Sequence, residues 1–422
     1  MRRLTAFLAL AGAALPLASA SAQSLDQVVA ATFAHSPVLT AARAREDAAA
    51  AALDQARAER MPLATAQGQI ATGYIDPQGF FGLSADDVAP RSAQATVELP
   101  LYTGGRVGAA VAQAKGGRAL AALATQSAAL DLRLQVVRAY TQALAAQEQL
   151  RSYDKLVEAL AEAVRQAHLT FRAGAGTSTE VAQAEARKAE ADAGLAGARG
   201  ALASAMAQLA TLSGGPVQPS GDLPPAPPVP ATPDEAVDLA TRHNPQVEQA
   251  RKAADVARAG IAAARAEGLP TVGAFAEAAS VRDQFFPGYK ADSASVGLRA
   301  RWTFFSGGRV SAKVNGAEAQ ARAADADALA AAQMVENQAV QAFAGVTSAR
   351  AMLAAARARV SATEDALRGT RFEVKAGAKP QLALLDAERE AIAAQTARIE
   401  ANGRLLVAAY TLRAITGMEE AP

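Results

Sequence analysis

Two periodicities follow one another along this chain. Around residues 92–99, apolar Ala93, Ala95, Val97 and Leu99 interleave with polar Ser92, Gln94, Thr96 and Glu98. That period of two belongs to a β-strand with one apolar face. It returns where Ala294, Val296, Leu298, Ala300 and Trp302 interleave with Ser293, Ser295, Gly297, Arg299 and Arg301. These strands are expected at about 92–103 and 292–303. Each completes a pair with an earlier segment, about 63–75 or 271–282, that alternates less clearly. Downstream of each pair the apolar period becomes seven. Leu123, Leu130, Val137 and Leu144 are followed, after a one-residue slip, by Leu150, Val157, Val164 and Phe171. Val346, Leu353, Val360, Leu367 and Val374 form the second run. Sustained sevens predict long helices packed as coiled coils.

Start and stop signals divide the helical parts. A helix of roughly 25 residues, about 37 Å, starts near Ser36-Pro37 or Asn244-Pro245 and ends before Pro62 or Pro270. The long helix runs to about Thr170 or Arg371 and spans on the order of 100 Å. Turns follow at about 171–177, with Gly174 and Gly176, and at about 372–380, with Gly377 and Pro380. A returning helix of about 38 residues, some 57 Å, closes each series. The first and last helices, laid end to end, match the long one. That predicts a helical wall about 100 Å tall.

The chain is therefore one unit written twice. His35-Ser36-Pro37 reappears as His243-Asn244-Pro245, and Pro62 as Pro270, both at an offset of 208. Leu101-Tyr-Thr-Gly-Gly-Arg106 reappears as Phe304-Phe-Ser-Gly-Gly-Arg309, and Gly174 as Gly377, at 203. The expected organisation is a secretory signal at 1–22, a first repeat at 23–213, a connector at 214–233, a second repeat at 234–417 and a tail at 418–422. The connector holds eight prolines and reads as stiff and extended. The signal rests on Arg2-Arg3, the apolar stretch Leu4 to Leu17 and the small residues Ala20-Ser21-Ala22.

Composition narrows the function. Lys and Arg number 42 and Asp and Glu 41, and loss of Arg2 and Arg3 leaves 40 basic residues. That balance argues against a nucleic-acid partner. There is no cysteine, so no disulfide and no thiolate metal site. Beyond the signal no apolar run reaches eighteen residues. Any membrane crossing must then use the strands, with apolar residues outside and polar ones inside. A hairpin of a soluble sheet gives the same alternation, but four such strands placed symmetrically in a duplicated exported chain favour the membrane. Tyr74, Phe80, Phe81, Phe285, Phe286 and Tyr289 at one end, and Tyr102, Trp302, Phe304 and Phe305 at the other, read as interfacial girdles. Four strands cannot close a barrel, so the membrane reading requires further copies. His35 and His243 occupy equivalent places, which duplication explains better than metal binding. Gly104-Gly105 and Gly307-Gly308 lack the Lys-Ser/Thr of a phosphate loop and read as bends, with Thr103 and Ser306 as caps. Asp386 to Glu390 reads as a solvated helix face. No nucleophile–base constellation is present, so neither enzyme activity nor a cofactor is expected.

Duplicated halves, Tyr/Phe-x-Gly-Gly-Arg at each strand-to-helix junction (Gly104, Gly105, Arg106; Gly307, Gly308, Arg309) and Leu384-Leu-Asp-Ala-Glu388 after the second turn together resemble the TolC family of outer-membrane efflux proteins. The first turn carries a degenerate counterpart, Glu180-Val-Ala-Gln183-Ala-Glu185. The resemblance covers essentially the whole mature chain. It implies a mainly α fold with a membrane β-barrel: a homotrimer with a twelve-stranded barrel in outer-membrane lipid and a twelve-helix tunnel in the periplasm. It implies docking on a periplasmic adaptor and an inner-membrane pump of RND, ABC or MFS type, for efflux or type I secretion. It places adaptor contacts at the turns with Gly174, Gly176 and Gly377, and a gate at Glu180, Gln183, Lys379 and Asp386. Glu180 and Lys379 either pair across the closed tip or are solvated surface charges. Ala383 stands where relatives carry a second acidic ring residue. The alternative is a periplasmic adaptor or other helical envelope scaffold, which would carry one helical hairpin rather than two.

Overall fold

The computed structural model describes residues 23–76, 86–219 and 223–418. The expected signal, Phe80 and Phe81, and all of the expected tail but Met418 lie outside the described residues. The elements form two matched series. The first is α1 (Leu25–His35), α2 (Pro37–Ala58), β1 (Leu63–Ile70), β2 (Gly73–Ile75), β3 (Asp86–Val88), β4 (Arg91–Tyr102), α3 (Arg106–Arg172) and α4 (Ser178–Ser213). The second is α5 (Pro233–His243), α6 (Pro245–Ala266), β5 (Thr271–Arg282), β6 (Lys290–Arg301), α7 (Arg309–Lys375) and α8 (Gln381–Thr416). The four helices of each series have 11, 22, 67 and 36 residues. The change of offset from 208 to 203 therefore falls in the strand region.

Several expectations need correction. α1 and α5 precede the helices anticipated at Ser36 and Asn244. Ser36 and Asn244 are extended, with φ/ψ of −68°/118° and −69°/127°. A following proline disfavours helical geometry, so each residue ends one helix and starts the next. Asn244 accepts from Gln246 N at 2.8 Å and donates to Ile415 O at 2.9 Å. Pro233 belongs to α5, capped by Thr232, rather than to the connector. The first strand stops at Ile70, and Gly73–Ile75 pairs instead with Asp86–Val88. The seam after the slip in α3 also differs. Leu156, Leu160 and Ala163 are buried, whereas Val157 and Val164 are half-buried and Phe171 is exposed.

The chain packs as two units. One comprises the described residues up to Ser36 and those within Leu132–Pro228 and Gly345–Tyr410. Its core gathers Val28, Val136, Val137, Tyr140, Leu209 and Leu406. Tyr140 is fully buried, and its hydroxyl donates to Gln23 O at 2.9 Å. The other comprises the described residues within Pro37–Asp131 and Val229–Ala344 and those from Thr411 to Met418. It holds a core of Ala240, Val247, Val335 and Ala339, and the four-stranded sheet β1-β4-β5-β6. All three pairings are antiparallel, and β4–β5 joins the two repeats.

Candidate functional site

The sheet is built inside out compared with a sheet in water. Register places Ala66, Ala95, Ala278 and Ala294 in one cross-strand row. Ala64, Val97, Ala276 and Val296 form the next row on that face, and Leu99, Ala274 and Leu298 the one after. Val296 and Leu298 are 83% and 72% exposed. The opposite face is knitted by polar contacts. Gln94 Nε2 donates to Glu277 Oε1 at 2.9 Å, and the Arg299 guanidinium lies 4.5 Å from the Phe275 ring centroid. A contiguous apolar face left outside matches a partner that is itself apolar. Trp302, Phe304 and Phe305 are exposed below this face. Trp302 Nε1 donates to Gly268 O at 3.1 Å, so its polar end is satisfied while its ring stays outside. At the other end Tyr289 meets Phe285 and Phe286 edge-on, at 5.0 and 5.4 Å. β1 and β6 each keep one edge without a partner strand among the described residues.

Each strand-to-helix junction turns on a glycine pair. Gly104 and Gly105 have φ of 60° and 85°, and Gly307 and Gly308 have 59° and 82°. Consecutive left-handed residues of this kind are accessible to glycine without steric cost. The turns close through main-chain atoms, Arg106 N to Thr103 O at 3.0 Å and Arg309 N to Ser306 O at 3.2 Å. Thr103 and Ser306 thus act here through their carbonyls. The arginine of each motif holds the end of the preceding helical segment. Arg106 Nη1 lies 2.8 Å from Glu59 and Arg309 Nη1 3.5 Å from Glu267. Lys313 Nζ adds bonds of 2.6 and 2.8 Å to Glu267. The Lys313 hydrogen bond, helped by the Lys313 and Arg309 charges against some desolvation, holds the Glu267 carboxyl below its ordinary value. Glu59 and Glu267 escaped the sequence reading, although they stand at the 208 offset, each three residues before a proline.

The two hairpin turns have different chemistry. Gly174 and Gly377 take φ of 72° and 75°. In the first turn Thr177 and Glu180 form a capping box. Thr177 N donates to Glu180 Oε2 at 2.9 Å, and Glu180 N to Thr177 Oγ1 at 3.2 Å. The equivalent residues of the second turn are Pro380 and Ala383, which cannot form that box. Lys379 instead reaches Glu373 at 2.7 Å. Within one chain Glu180 and Lys379 are thus engaged separately and do not pair. Asp386 on α8 pairs with Arg187 on α4, and Glu390 with Arg359, so the Asp386–Glu390 face is solvated and also cross-linked. Gln183, the counterpart of Asp386, is exposed. Both hairpins carry an equivalent bridge between long and returning helix: His168 Nε2–Glu185 at 3.0 Å and Arg371–Glu388 at 3.5 Å. Beside Arg187 and Asp386 lies a groove of about 550 Å³, walled by α3, α4 and α8, with Leu156, Leu160 and Leu385 in its lining.

His35 and His243 pack against the glycines that end the returning helices, Gly214 and Gly417. That contact accounts for the paired His and Gly signals in the two repeats. No described helix is long and apolar enough to cross a membrane.

The family model described as "Outer membrane efflux protein" matches residues 28–215 and 236–418. The outer membrane efflux protein BepC of Brucella suis biovar 1 (strain 1330) is 29% identical over 285 residues, covering 67% of this chain and 62% of BepC. The proteases secretion protein PrtF of Dickeya chrysanthemi is 30% identical over 305 residues, covering 68% of this chain and 64% of PrtF. The matched region thus spans a little under two thirds of these curated relatives. The Campylobacter jejuni CmeC outer membrane channel superposes with a TM-score of 0.80 at 14% identity, covering 93% of this chain and 85% of that one, a likeness of fold.

Proposed function

Because this chain belongs to the outer membrane efflux protein family, we propose that three copies of it form a conduit through the outer membrane and across the periplasm. Its place is the outer membrane. It acts as a channel and not as a catalyst. The observation that carries this reading is the inverted sheet with its two unpaired edges. An open edge is not tolerated in lipid, where each unpaired main-chain group costs several kcal/mol. β6 of one copy meeting β1 of the next continues the antiparallel order, and three sheets of four strands close a twelve-stranded barrel. Exposed Leu329, Met334 and Val340 on α7 are apolar surface that neighbouring copies would cover in a twelve-helix tunnel.

The hairpin turns form the periplasmic entrance, with Glu180, Gln183, Lys379 and Asp386 around it. A periplasmic adaptor docks at the turns of Gly174, Gly176 and Gly377, and an inner-membrane pump delivers the cargo. BepC is an efflux protein and PrtF a proteases secretion protein, which supports two versions of that cargo, an effluxed compound or a secreted protein. The test is the mass and conductance of protein purified in mild detergent. A three-chain particle that forms pores in planar bilayers is expected. A single-chain particle without pore activity rejects the reading.

A further inference from the structure

We infer that Arg91, Arg282 and Lys290 form a binding row for the phosphate headgroups of outer-leaflet lipid. This rests on the reading of the sheet as a membrane barrel with its turns outward. Register pairs Arg91 with Arg282 and Arg282 with Lys290, so three cations stand side by side, with Ile70 completing the row on β1. Even spacing along each strand places this row on the same face as Ala95, Val97, Ala278 and Val296. It therefore faces outward, away from the lumen.

Three like charges directly opposite one another destabilise a sheet unless something neutralises them. The structure supplies one counter-charge. Arg282 Nη2 reaches Asp292 at 2.8 Å, and its Nη1 donates to Val281 O and Ala291 O. Arg91 and Lys290 are exposed and form no ion pair among the described residues. Among the described residues the row thus keeps two positive charges per copy without an ion-pair partner.

Depth identifies the occupant. The row lies four residues beyond the alanine row that begins the apolar band, roughly 14 Å along the strands. With a strand tilt of about 40° that is on the order of 10 Å above the band, at headgroup level. The row between consists of Gly68, Ala93, Ser280 and Asp292, so little side-chain bulk intervenes. Phe285, Phe286 and Tyr289 cluster at the same end, as interfacial aromatics do. An anion held here adjoins the apolar face directly, so a molecule with both phosphate and acyl chains covers both surfaces at once. Guanidinium groups match phosphate oxygens with paired hydrogen bonds, and the ammonium adds a point charge.

The experiment compares retention by detergent-purified protein of bis-phosphorylated lipid A, of the same lipid without phosphates, and of inorganic phosphate, read by native mass spectrometry. Wild type is expected to retain the phosphorylated lipid preferentially. Arg91→Gln with Lys290→Gln should weaken that retention about tenfold or more, since each basic group near an anionic surface contributes severalfold. Arg299→Gln, on the opposite face, should change nothing. Asp292→Asn removes the counter-charge and should strengthen retention. Equal retention with and without phosphates, or a double variant that retains as wild type does, overturns the inference. Full competition by inorganic phosphate overturns the lipid assignment in favour of a free-anion site. Particle mass and conductance of the same preparations keep the two readings apart. Conducting trimers without phosphate preference reject the lipid row alone, whereas absence of trimers rejects the channel.

Discussion

Glu267 gathers Lys313 and Arg309 on one carboxylate, and Glu59 takes Arg106 in the first repeat. These contacts explain why arginine follows each glycine pair. The glycines let the chain reverse, and the arginine fixes the new helix to the segment that preceded the strands. Because Lys313 keeps the Glu267 carboxyl below its ordinary 4.5, its contribution is fully present above that value and fades as pH falls through the lowered one. The group is exposed, so the effect is modest. Lys313→Ala is expected to lower the thermal midpoint slightly at pH 7. That difference should shrink progressively as pH falls below 4.5, as followed by helical circular dichroism. A difference that persists or grows in acid places the role of Lys313 elsewhere. The first repeat has Ala110 at the place of Lys313, so Ala110→Lys should strengthen the Glu59 junction at pH 7.

At the scale of elements, the β4 and β6 alternation was legible because period two separates the faces directly. The long helices were legible because their sevens persist over many turns. The short first helices, α1 and α5, were not, since Ser36-Pro37 and Asn244-Pro245 read equally well as a start and as a break. Pairings at the turns were not legible either. Lys379–Glu373 depends on the path of the turn and Arg187–Asp386 on which helix faces meet, and spacing along the sequence contains neither. The faces of β6 give a sharp test. Val296 lies mid-band on the exposed face, and Ser295 points to the other side. Val296→Arg should cost about 2–4 kcal/mol of membrane assembly per copy. Ser295→Arg should be tolerated. Heat-modifiable trimers on unheated gels should be lost for the first and kept for the second. Equal yields of both would mean that the apolar face does not meet lipid.

At the scale of the proposed conduit, the charges placed around its entrance would decide which ions pass. Asp386 is neutralised by Arg187 from the returning helix of the other repeat, with both side chains partly exposed at 47% and 36%. Lys379 is offset by Glu373, while Glu180 keeps its carboxylate charge within its capping box, where it accepts a hydrogen bond from Thr177 N. The entrance should therefore be modestly cation-selective in the wild type. Each exposed pair contributes only about 0.2–1 kcal/mol, so neither partner is essential for folding. Removing one partner should nonetheless leave three unbalanced charges around the axis. Arg187→Ala exposes three carboxylates, which should shift the reversal potential in a potassium chloride gradient towards cations and introduce block by divalent cations. Asp386→Ala leaves three guanidinium groups and should shift it towards anions. The double variant should return close to wild type, because the charges leave together. Glu180→Gln keeps an acceptor for Thr177 N, so the capping box survives, but it removes one carboxylate charge per copy and should shift the reversal potential towards anions. Shifts of the same sign in both single variants, or none, would place the selectivity of the entrance in residues other than this pair.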